Sequence, residues 1–80
     1  MFKVYVLKSR VADKSYVGST DNIERRLAEH NIGKSKFTSR YKPWELIYAE
    51  EFSTREEALK REKYLKSANG RRYLKGKVFS

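Results

Sequence analysis

Three side chains of this 80-residue sequence stand where their chemistry requires an explanation. Arg26 and His30 fall at the border of the apolar helical stripe that Ile23 and Leu27 mark. Glu62 projects into the middle of the apolar face of a later helix. A carboxylate in that position is unfavourable unless it pairs with a cation or binds a metal ion. The chain therefore carries two cationic or proton-carrying groups and one carboxylate beside its predicted core.

The residues alone leave several interpretations of these groups open. Glu62 forms an ion pair with Arg26, Arg55 or a lysine, is an accidental carboxylate at the end of a stripe, or serves metal binding or catalysis. His30 either compensates the helix dipole at a C-terminal end or exchanges a proton near neutral pH. Each of these interpretations depends on what the neighbouring elements bring to the same place.

The first helix is predicted to begin close to Asp21. Asp21 and Glu24 have the spacing of a capping box, in which the two side chains bond the backbone N–H groups of the first turn. Asn31 and Gly33 are stop signals that end this helix just after His30. The next segment, residues 34–43, is predicted to be long and irregular.

Two strands precede this helix and are predicted to form an antiparallel hairpin. Residues 2–7 alternate so that Phe2, Val4 and Val6 share one face and Tyr5 and Leu7 the other. Residues 15–18 form the second strand, and Gly18 provides a tight exit toward the helix. The hairpin would make Tyr5 and Tyr16 neighbours across the sheet.

A third strand and a second helix follow. Residues 44–52 read as a strand with Trp44, Leu46 and Tyr48 on one face. Thr54 and Glu57 form a capping box that opens a helix running to about residue 67, ended by Asn69-Gly70. Its predicted apolar face consists of Ala58, Leu59 and Leu65, and residues 71–75 form one further short turn of helix.

Composition restricts the class of protein. A chain of this length supports one domain with a small core, for which two packed layers are the expected limit. Nineteen Lys and Arg against ten Asp and Glu give a net charge of +9, which attracts polyanions and makes nucleic acid the leading partner. Zero cysteines exclude disulfide scaffolds and thiolate zinc sites, and a cytoplasmic location is expected. No segment has the shape of a signal peptide, a membrane span or a membrane-binding amphipathic helix.

Four features together resemble the GIY-YIG nuclease superfamily, in particular its small stand-alone single-domain bacterial members related to the N-terminal nuclease domain of excinuclease C. They are a tyrosine in the first strand, Tyr16-Val17-Gly18 in the second, Arg26 ten residues after Tyr16, and the run from Arg61 to Lys66 around Glu62. The resemblance covers nearly the whole chain, so residues 1–80 are expected to be a single nuclease domain. It implies a three-stranded antiparallel sheet flanked by helices. This matches the α+β fold in ββαβα order, with a short C-terminal helix, that the residues predict.

The resemblance also implies a catalytic site that hydrolyses a phosphodiester with one divalent metal ion. The matching positions are Tyr5, Tyr16, Arg26, His30 and, as the metal ligand, Glu62. Lys14 matches a recurrent lysine, whereas Asn69 is the only candidate for a late asparagine of the family. The first motif departs from the family pattern, because it appears as Val4-Tyr5-Val6 without its glycine and isoleucine.

The chemistry suits these residue types. The Arg26 guanidinium can hold two oxygens of a phosphate that gains charge in the transition state. One carboxylate, Glu62, is sufficient for Mg²⁺, which retains most of its water ligands, and Mn²⁺ is an alternative. The resemblance favours Tyr5 as the general base, which requires nearby cations to lower its pKa, whereas His30 is the chemically easier base. The residues do not decide between the two.

Substrate binding is expected to come from the domain itself. Basic residues alternate with two aromatic residues that could stack on bases, and a second basic cluster lies near the C-terminus. The predicted substrate-binding residues are Lys14, Lys34, Lys36, Phe37, Arg40, Tyr41, Lys42, Arg71 and Arg72. No base-reading motif is visible, so binding is expected to be directed by DNA structure or weakly specific.

The predicted function is therefore a Mg²⁺-dependent endonuclease acting on DNA, with RNA left open as a substrate and DNA repair or recombination as the expected setting. The alternative is a non-catalytic nucleic-acid-binding protein that retains the nuclease fold. A component recruited by a protein partner is the third interpretation. Intact motif residues favour the enzyme, and the absence of a separate targeting domain in this sequence favours the alternatives.

Overall fold

The computed structural model describes residues 1–34 and 36–77, with the backbone alone for Phe37. Three strands, β1 (Phe2–Ser9), β2 (Ser15–Thr20) and β3 (Trp44–Phe52), form one antiparallel sheet in the order β2-β1-β3. The helices are α1 (Ile23–Asn31), α2 (Lys36–Arg40), α3 (Arg55–Lys66) and α4 (Ala68–Lys77). The predicted α+β class and the order of the predicted elements are confirmed.

Helices cover both faces of the sheet, because the central strand β1 is apolar on both faces. Val4 and Val6 pack with residues of α3 and α4 in one cluster. Tyr5 and Leu7 pack on the opposite face with Trp44 and with residues of α1. The fold therefore has three layers, and the expected limit of two was wrong: all four of these β1 side chains are buried, which needs a helical layer on each side.

A bulge in β3 changes which face its side chains occupy. Val6 pairs with Tyr48 and Leu7 pairs with Leu46, so Ile47 is the extra residue of the bulge. Trp44 consequently belongs to the Tyr5 face and Tyr48 to the Val6 face. The prediction that Trp44, Leu46 and Tyr48 share one face was wrong for Tyr48.

The two helix starts differ in how well they were predicted. Thr54 caps α3 as expected, accepting from the Glu57 N–H at 3.2 Å. At α1 the cap is Asn22, whose Oδ1 accepts from the Arg25 N–H at 3.0 Å, so the prediction of Asp21 was wrong by one residue. β2 continues to Thr20, whose hydroxyl oxygen accepts from the Asn22 N–H at 3.0 Å and so orients the cap.

The boundary between α3 and α4 also differs from the prediction. α3 ends at Lys66, and Asn69-Gly70 lies in the first turn of α4 instead of ending α3. A side chain at Gly70 would bring its Cβ to 2.0 Å from the Tyr64 carbonyl oxygen, so glycine allows α4 to start directly against α3. α4 is ten residues long, not one short turn.

Two smaller expectations were also wrong. Residues 34–43 are not wholly irregular, because they contain the short helix α2. Leu59 is 49% exposed, whereas Ala58 and Leu65 are buried as predicted. The apolar face of α3 is therefore narrower than its sequence indicated.

Candidate active site

The candidate site forms at the edge strand β2, where Tyr5 of the central strand lies opposite Gly18. A Cβ at Gly18 would be 2.6 Å from the Tyr5 hydroxyl oxygen and 3.0 Å from a Tyr16 ring carbon. Glycine at this position therefore lets the Tyr5 ring cross β2 and bring its hydroxyl toward the outer edge of the sheet.

Tyr5, Tyr16 and His30 meet on the α1 side of this edge. The Tyr5 and Tyr16 ring centroids are 6.2 Å apart, which confirms the predicted neighbourhood of the two tyrosines. The His30 ring lies 4.7 Å from the Tyr16 ring, and its Nε2 is 3.3 Å from the Tyr5 hydroxyl oxygen. His30 is only 1% exposed, so it is a buried partner of the tyrosines, not a solvated residue at a helix end.

Thr38 holds the other side of the histidine. Its hydroxyl oxygen is 3.0 Å from His30 Nδ1, and its backbone carbonyl accepts from the Trp44 indole N–H at 2.7 Å. Asn31 fixes the same corner, because its side chain accepts from the Trp44 N–H at 2.6 Å and donates to the Trp44 carbonyl at 3.3 Å. Sequence reasoning missed Thr38 and treated Asn31 only as a stop signal.

Arg26 lies in the second turn of α1 and pairs with Glu29 one turn later, at 2.7 Å. The nearby Tyr5 hydroxyl and the hydrogen-bonded Glu29 carboxylate raise the pKa of Arg26 further above its usual value, so its guanidinium is cationic throughout the physiological range. The same guanidinium lowers the pKa of the Tyr5 hydroxyl, against the larger effect of burial. Arg26 therefore belongs to the group of Tyr5 and His30.

Glu62 lies on α3 and approaches β2 from the face of the sheet opposite to α1. Its carboxylate accepts from the Ser19 hydroxyl at 2.6 Å and from the Lys66 ammonium at 2.8 Å, with the side chain 20% exposed. Burial by itself would raise the pKa of Glu62, but the bonds from Lys66 and Ser19 outweigh it and hold the pKa below its usual value. Of the structural interpretations, the ion pair with a lysine is the one found.

Ser19 is a second positioning residue that the sequence analysis missed. Strand alternation offered a signal, because Ser19 follows Gly18 and so points to the opposite face, toward α3. Its hydroxyl fixes one carboxylate oxygen of Glu62, and Lys66 binds the other.

The pKa values of Tyr5 and His30, the two candidate general bases, both differ from their usual values. Burial raises the pKa of Tyr5, and the Arg26 guanidinium offsets only part of that rise. The lowered Tyr5 pKa that the tyrosine base required is therefore not found. Burial, with a further contribution from Arg26, lowers the pKa of His30 from 6.5, so the imidazole is neutral at pH 7.

The donor set available to a metal ion is small. Among the described residues there is no group of three or more His, Cys, Asp or Glu side chains that could hold a metal. An ionised, half-buried carboxylate such as Glu62 fits Mg²⁺ or Mn²⁺, which accept one protein carboxylate together with water and phosphate oxygens. It does not fit a cation that requires a full protein cage.

The predicted substrate-binding residues lie on two different layers of the fold. Lys34, Lys36, Arg40 and Lys42 are exposed near α1 and α2, whereas Arg71 and Arg72 are exposed on α4. Lys14 lies over the Tyr41 ring at 5.7 Å, and Tyr41 is partly buried against the core. The side chain of Phe37 lies outside the described residues. Asn69 is exposed on α4.

Comparison with known proteins shows the family of this chain. The protein-family model of the GIY-YIG catalytic domain matches residues 1–75. A UPF0213 protein of Staphylococcus haemolyticus is 42% identical over 77 residues, covering 94% of each chain. A UPF0213 protein of Bacillus licheniformis is 46% identical over 77 residues, covering 91% of this chain and 78% of its own. No described helix is long and apolar enough to cross a membrane. The chain belongs to the GIY-YIG nuclease family.

Proposed function

We propose that this protein is a divalent-metal-dependent endonuclease that hydrolyses phosphodiester bonds in DNA, with residues 1–80 acting as one nuclease domain. The observation that carries the proposal is the separate anchoring of Arg26 and Glu62 on either side of the β2 edge. Arg26 is fixed by Glu29, and Glu62 is fixed by Ser19 and Lys66. A cation and an anion held in this way are both available to a phosphate and its counterion.

Arg26 would bind the scissile phosphate. Its planar guanidinium can donate to two phosphate oxygens, and the bond to Glu29 orients it before the substrate arrives. Because the phosphate gains negative charge in the transition state, this contact strengthens as the reaction proceeds.

Tyr5 and His30 would share the proton of the attacking water. In the tautomer whose Nδ1–H donates to Thr38, His30 Nε2 accepts from the Tyr5 hydroxyl. The Tyr5 oxygen would take the water proton while its own proton moves to His30, as the water oxygen bonds to phosphorus and the bond to the leaving oxygen breaks. Tyr5 then need not be ionised beforehand, which fits its raised pKa and the neutral state of His30.

Glu62 would hold Mg²⁺, or Mn²⁺ in its place. Such an ion, when bound, supplies positive charge beside the scissile phosphate. Ser19 and Lys66 keep Glu62 ionised and oriented for this role. Lys66 competes for the carboxylate, so we expect the ion to bind more tightly when substrate phosphate contributes ligands as well.

The test is cleavage of labelled single-stranded, duplex, nicked and branched DNA, and of RNA, with Mg²⁺, Mn²⁺ or EDTA. Wild type and Glu62→Ala are purified identically and compared. Metal-dependent cleavage by wild type alone supports the proposal. Equal cleavage by both proteins indicates a contaminant. Binding without cleavage by either protein contradicts the nuclease and favours a nucleic-acid-binding protein.

A further inference from the structure

A groove beside the candidate site extends along the outer edge of the sheet between α1 and α3. It encloses about 260 Å³ and shares Arg26 and Ser19 with the site. Its remaining walls come from the end of β2, the start of α1 and the first turns of α3, and include Thr20, Asp21, Arg25, Arg55 and Leu59. The groove is therefore continuous with the place where the scissile phosphate would bind.

Arginine dominates the charge of this groove. Arg25, Arg26 and Arg55 line it against one carboxylate, Asp21, which pairs loosely with Arg25 at 3.5 Å. Arg25 and Arg26 are neighbours in α1, and both line this groove. The excess of positive charge favours an anionic occupant.

Arg55 differs from the other two arginines in its contacts. Its guanidinium carbon lies 5.5 Å from the centroid of the Phe2 ring, a stacking contact that leaves the edge of the guanidinium plane for other partners. Among the described residues it has no carboxylate partner, whereas Arg26 binds Glu29 and Arg25 binds Asp21. Arg55 is thus held in position without its charge being neutralised.

The spacing of Arg55 from Glu62 matches a nucleic acid strand. The two residues are seven positions apart on α3, so they lie on the same helix face about 10 Å apart along its axis. Because phosphates of one DNA strand repeat at intervals shorter than this span, a strand that lies along α3 would place a phosphate other than the scissile one near Arg55.

We infer that Arg55 binds a phosphate within a few nucleotides of the scissile one, in a groove that receives the same DNA strand. The inference rests on the proposed function for the nature of that strand. It adds a substrate requirement, because a substrate must extend past the cleaved bond on the α3 side of the site to gain this contact.

The experiment compares Arg55→Gln, Arg55→Lys and Lys60→Gln. Lys60 is exposed on α3 and projects away from the Arg55 and Glu62 face, so Lys60→Gln removes the same charge outside the groove. Binding of a labelled DNA strand and of its duplex is measured by fluorescence anisotropy over a range of salt concentrations. Metal is omitted so that no turnover is needed, and thermal melts check that each variant is folded.

We expect Arg55→Gln to weaken binding several-fold and to reduce the slope of log affinity against log salt by about 0.7–0.9, the value of one phosphate contact. Arg55→Lys should recover most of this slope, and Lys60→Gln should change it much less. An unchanged slope for Arg55→Gln, or equal changes for Arg55→Gln and Lys60→Gln, would overturn the inference.

Cleavage assays separate this inference from the proposed function. Where wild type cleaves DNA, Arg55→Gln should raise KM with kcat nearly unchanged, because the contact is the same in ground and transition states. A changed slope without cleavage by wild type would support the groove and contradict the nuclease. Cleavage by wild type, together with an unaltered salt slope for Arg55→Gln, would support the nuclease and contradict the role of the groove.

Discussion

Two clusters of this protein each contain two tyrosines, one arginine and one glutamate. The hydrogen bonds and ion pairs among these side chains differ between the two clusters. The site cluster comprises Tyr5, Tyr16, Arg26 and Glu62, and the structural cluster comprises Tyr48, Tyr73, Arg61 and Glu50. The first lies at the β2 edge of the sheet. The second joins β3, the other edge strand of the sheet, to α3 and α4.

In the structural cluster the charged groups satisfy one another. Arg61 donates to both carboxylate oxygens of Glu50, at 2.7 and 3.0 Å, and the Tyr48 hydroxyl donates to the same carboxylate. The Tyr73 hydroxyl is 3.2 Å from that of Tyr48, and its ring lies 5.0 Å from the Arg61 guanidinium carbon. Such a closed network stabilises packing and leaves little for a ligand.

In the site cluster the arginine and the glutamate are kept apart. Within residues 1–34 and 36–77 no ion pair joins Arg26 to Glu62, and each has its own partner. The polar groups of the site are therefore positioned by residues outside the cluster, Glu29, Ser19, Lys66 and Thr38. The comparison shows that the connections between residues, more than the residue types, separate a site from a structural network.

The largest expected difference between the clusters is for their glutamates. Glu62→Gln should lower cleavage by about 10²–10³-fold, the effect of removing one group that acts in the transition state. Its melting temperature should stay close to wild type, because Ser19 can still donate to the amide oxygen. Glu50→Gln should instead lower the melting temperature and retain the activity per folded molecule. Cleavage assays and thermal melts of both variants check this, and a common loss of both properties would contradict it.

Gly18→Ala tests whether the path of Tyr5 across β2 is needed for cleavage. The added Cβ would stand 2.6 Å from the Tyr5 hydroxyl oxygen and 2.8 Å from its Cζ, so the ring must move. We expect cleavage to fall by about 10²-fold, as for a displacement of about 1 Å in a catalytic group. The free energy of unfolding should fall by about 1–3 kcal/mol.

Gly76→Ala is the matched control for this variant. A Cβ at Gly76 meets no atom within 4 Å, so the same substitution adds no contact there. Denaturant unfolding and initial cleavage rates are measured for both. Wild-type cleavage by Gly18→Ala would show that the tyrosine hydroxyl need not lie over β2.

Arg61→Gln tests the structural cluster. Without the guanidinium, the Glu50 carboxylate loses two charged hydrogen bonds while it stays partly buried, and α3 loses its stacking on α4. We expect unfolding to become easier by about 1–3 kcal/mol. Each kcal/mol corresponds to about 4–8 °C in Tm for a domain of this size. Lys60→Gln on the same helix should leave Tm nearly unchanged, and equal Tm values for the two variants would contradict the structural role.

Much of the fold could be predicted because it depends on local patterns. Alternation in β1 placed Tyr5 and Leu7 on one face and Val4 and Val6 on the other, and the structure confirms both sets. The bulge at Ile47 could not be predicted, because an apolar run gives no sign of the residue at which pairing shifts. The adjacent residues Asp21 and Asn22 are both good caps, so the choice depended on where β2 ends.

The site was predictable to a different extent. Spacing and resemblance indicated the motif residues, and the structure brings Tyr5, Tyr16, Arg26 and His30 together at one edge. The residues that position them gave little signal, because they act across the chain: Ser19 reaches Glu62 from 43 residues away. Thr38 lies in a segment whose basic composition indicated substrate binding, which concealed its buried contact with His30.

The smallest expected effect is a pH dependence that separates His30, which contacts Tyr5 and Tyr16 of the site cluster, from the structural cluster. His30 is the one histidine of the sequence and its pKa is lowered from 6.5 by burial and by Arg26, so the unfolded chain binds its proton more readily. The contribution of His30 to stability should therefore be constant above pH 6.5 and decline as the pH falls from 6.5 through the folded pKa of His30. The slope for one proton cannot exceed about 1.4 kcal/mol per pH unit. Protonation of the carboxylates reduces the stability of the protein only at lower pH. They include Glu50, whose pKa is lowered from 4.5 by Arg61.

Denaturant unfolding at several pH values, with NMR titration of the single imidazole, measures this directly. His30→Gln should remove the decline just below pH 6.5 and keep the one below pH 4.5, whereas Glu50→Gln should reduce only the lower one. If neutral His30 accepts the Tyr5 proton, cleavage should fall in the same window as the imidazole titrates. An imidazole pKa at or above 6.5 would contradict both the buried neutral state and the proton transfer that depends on it.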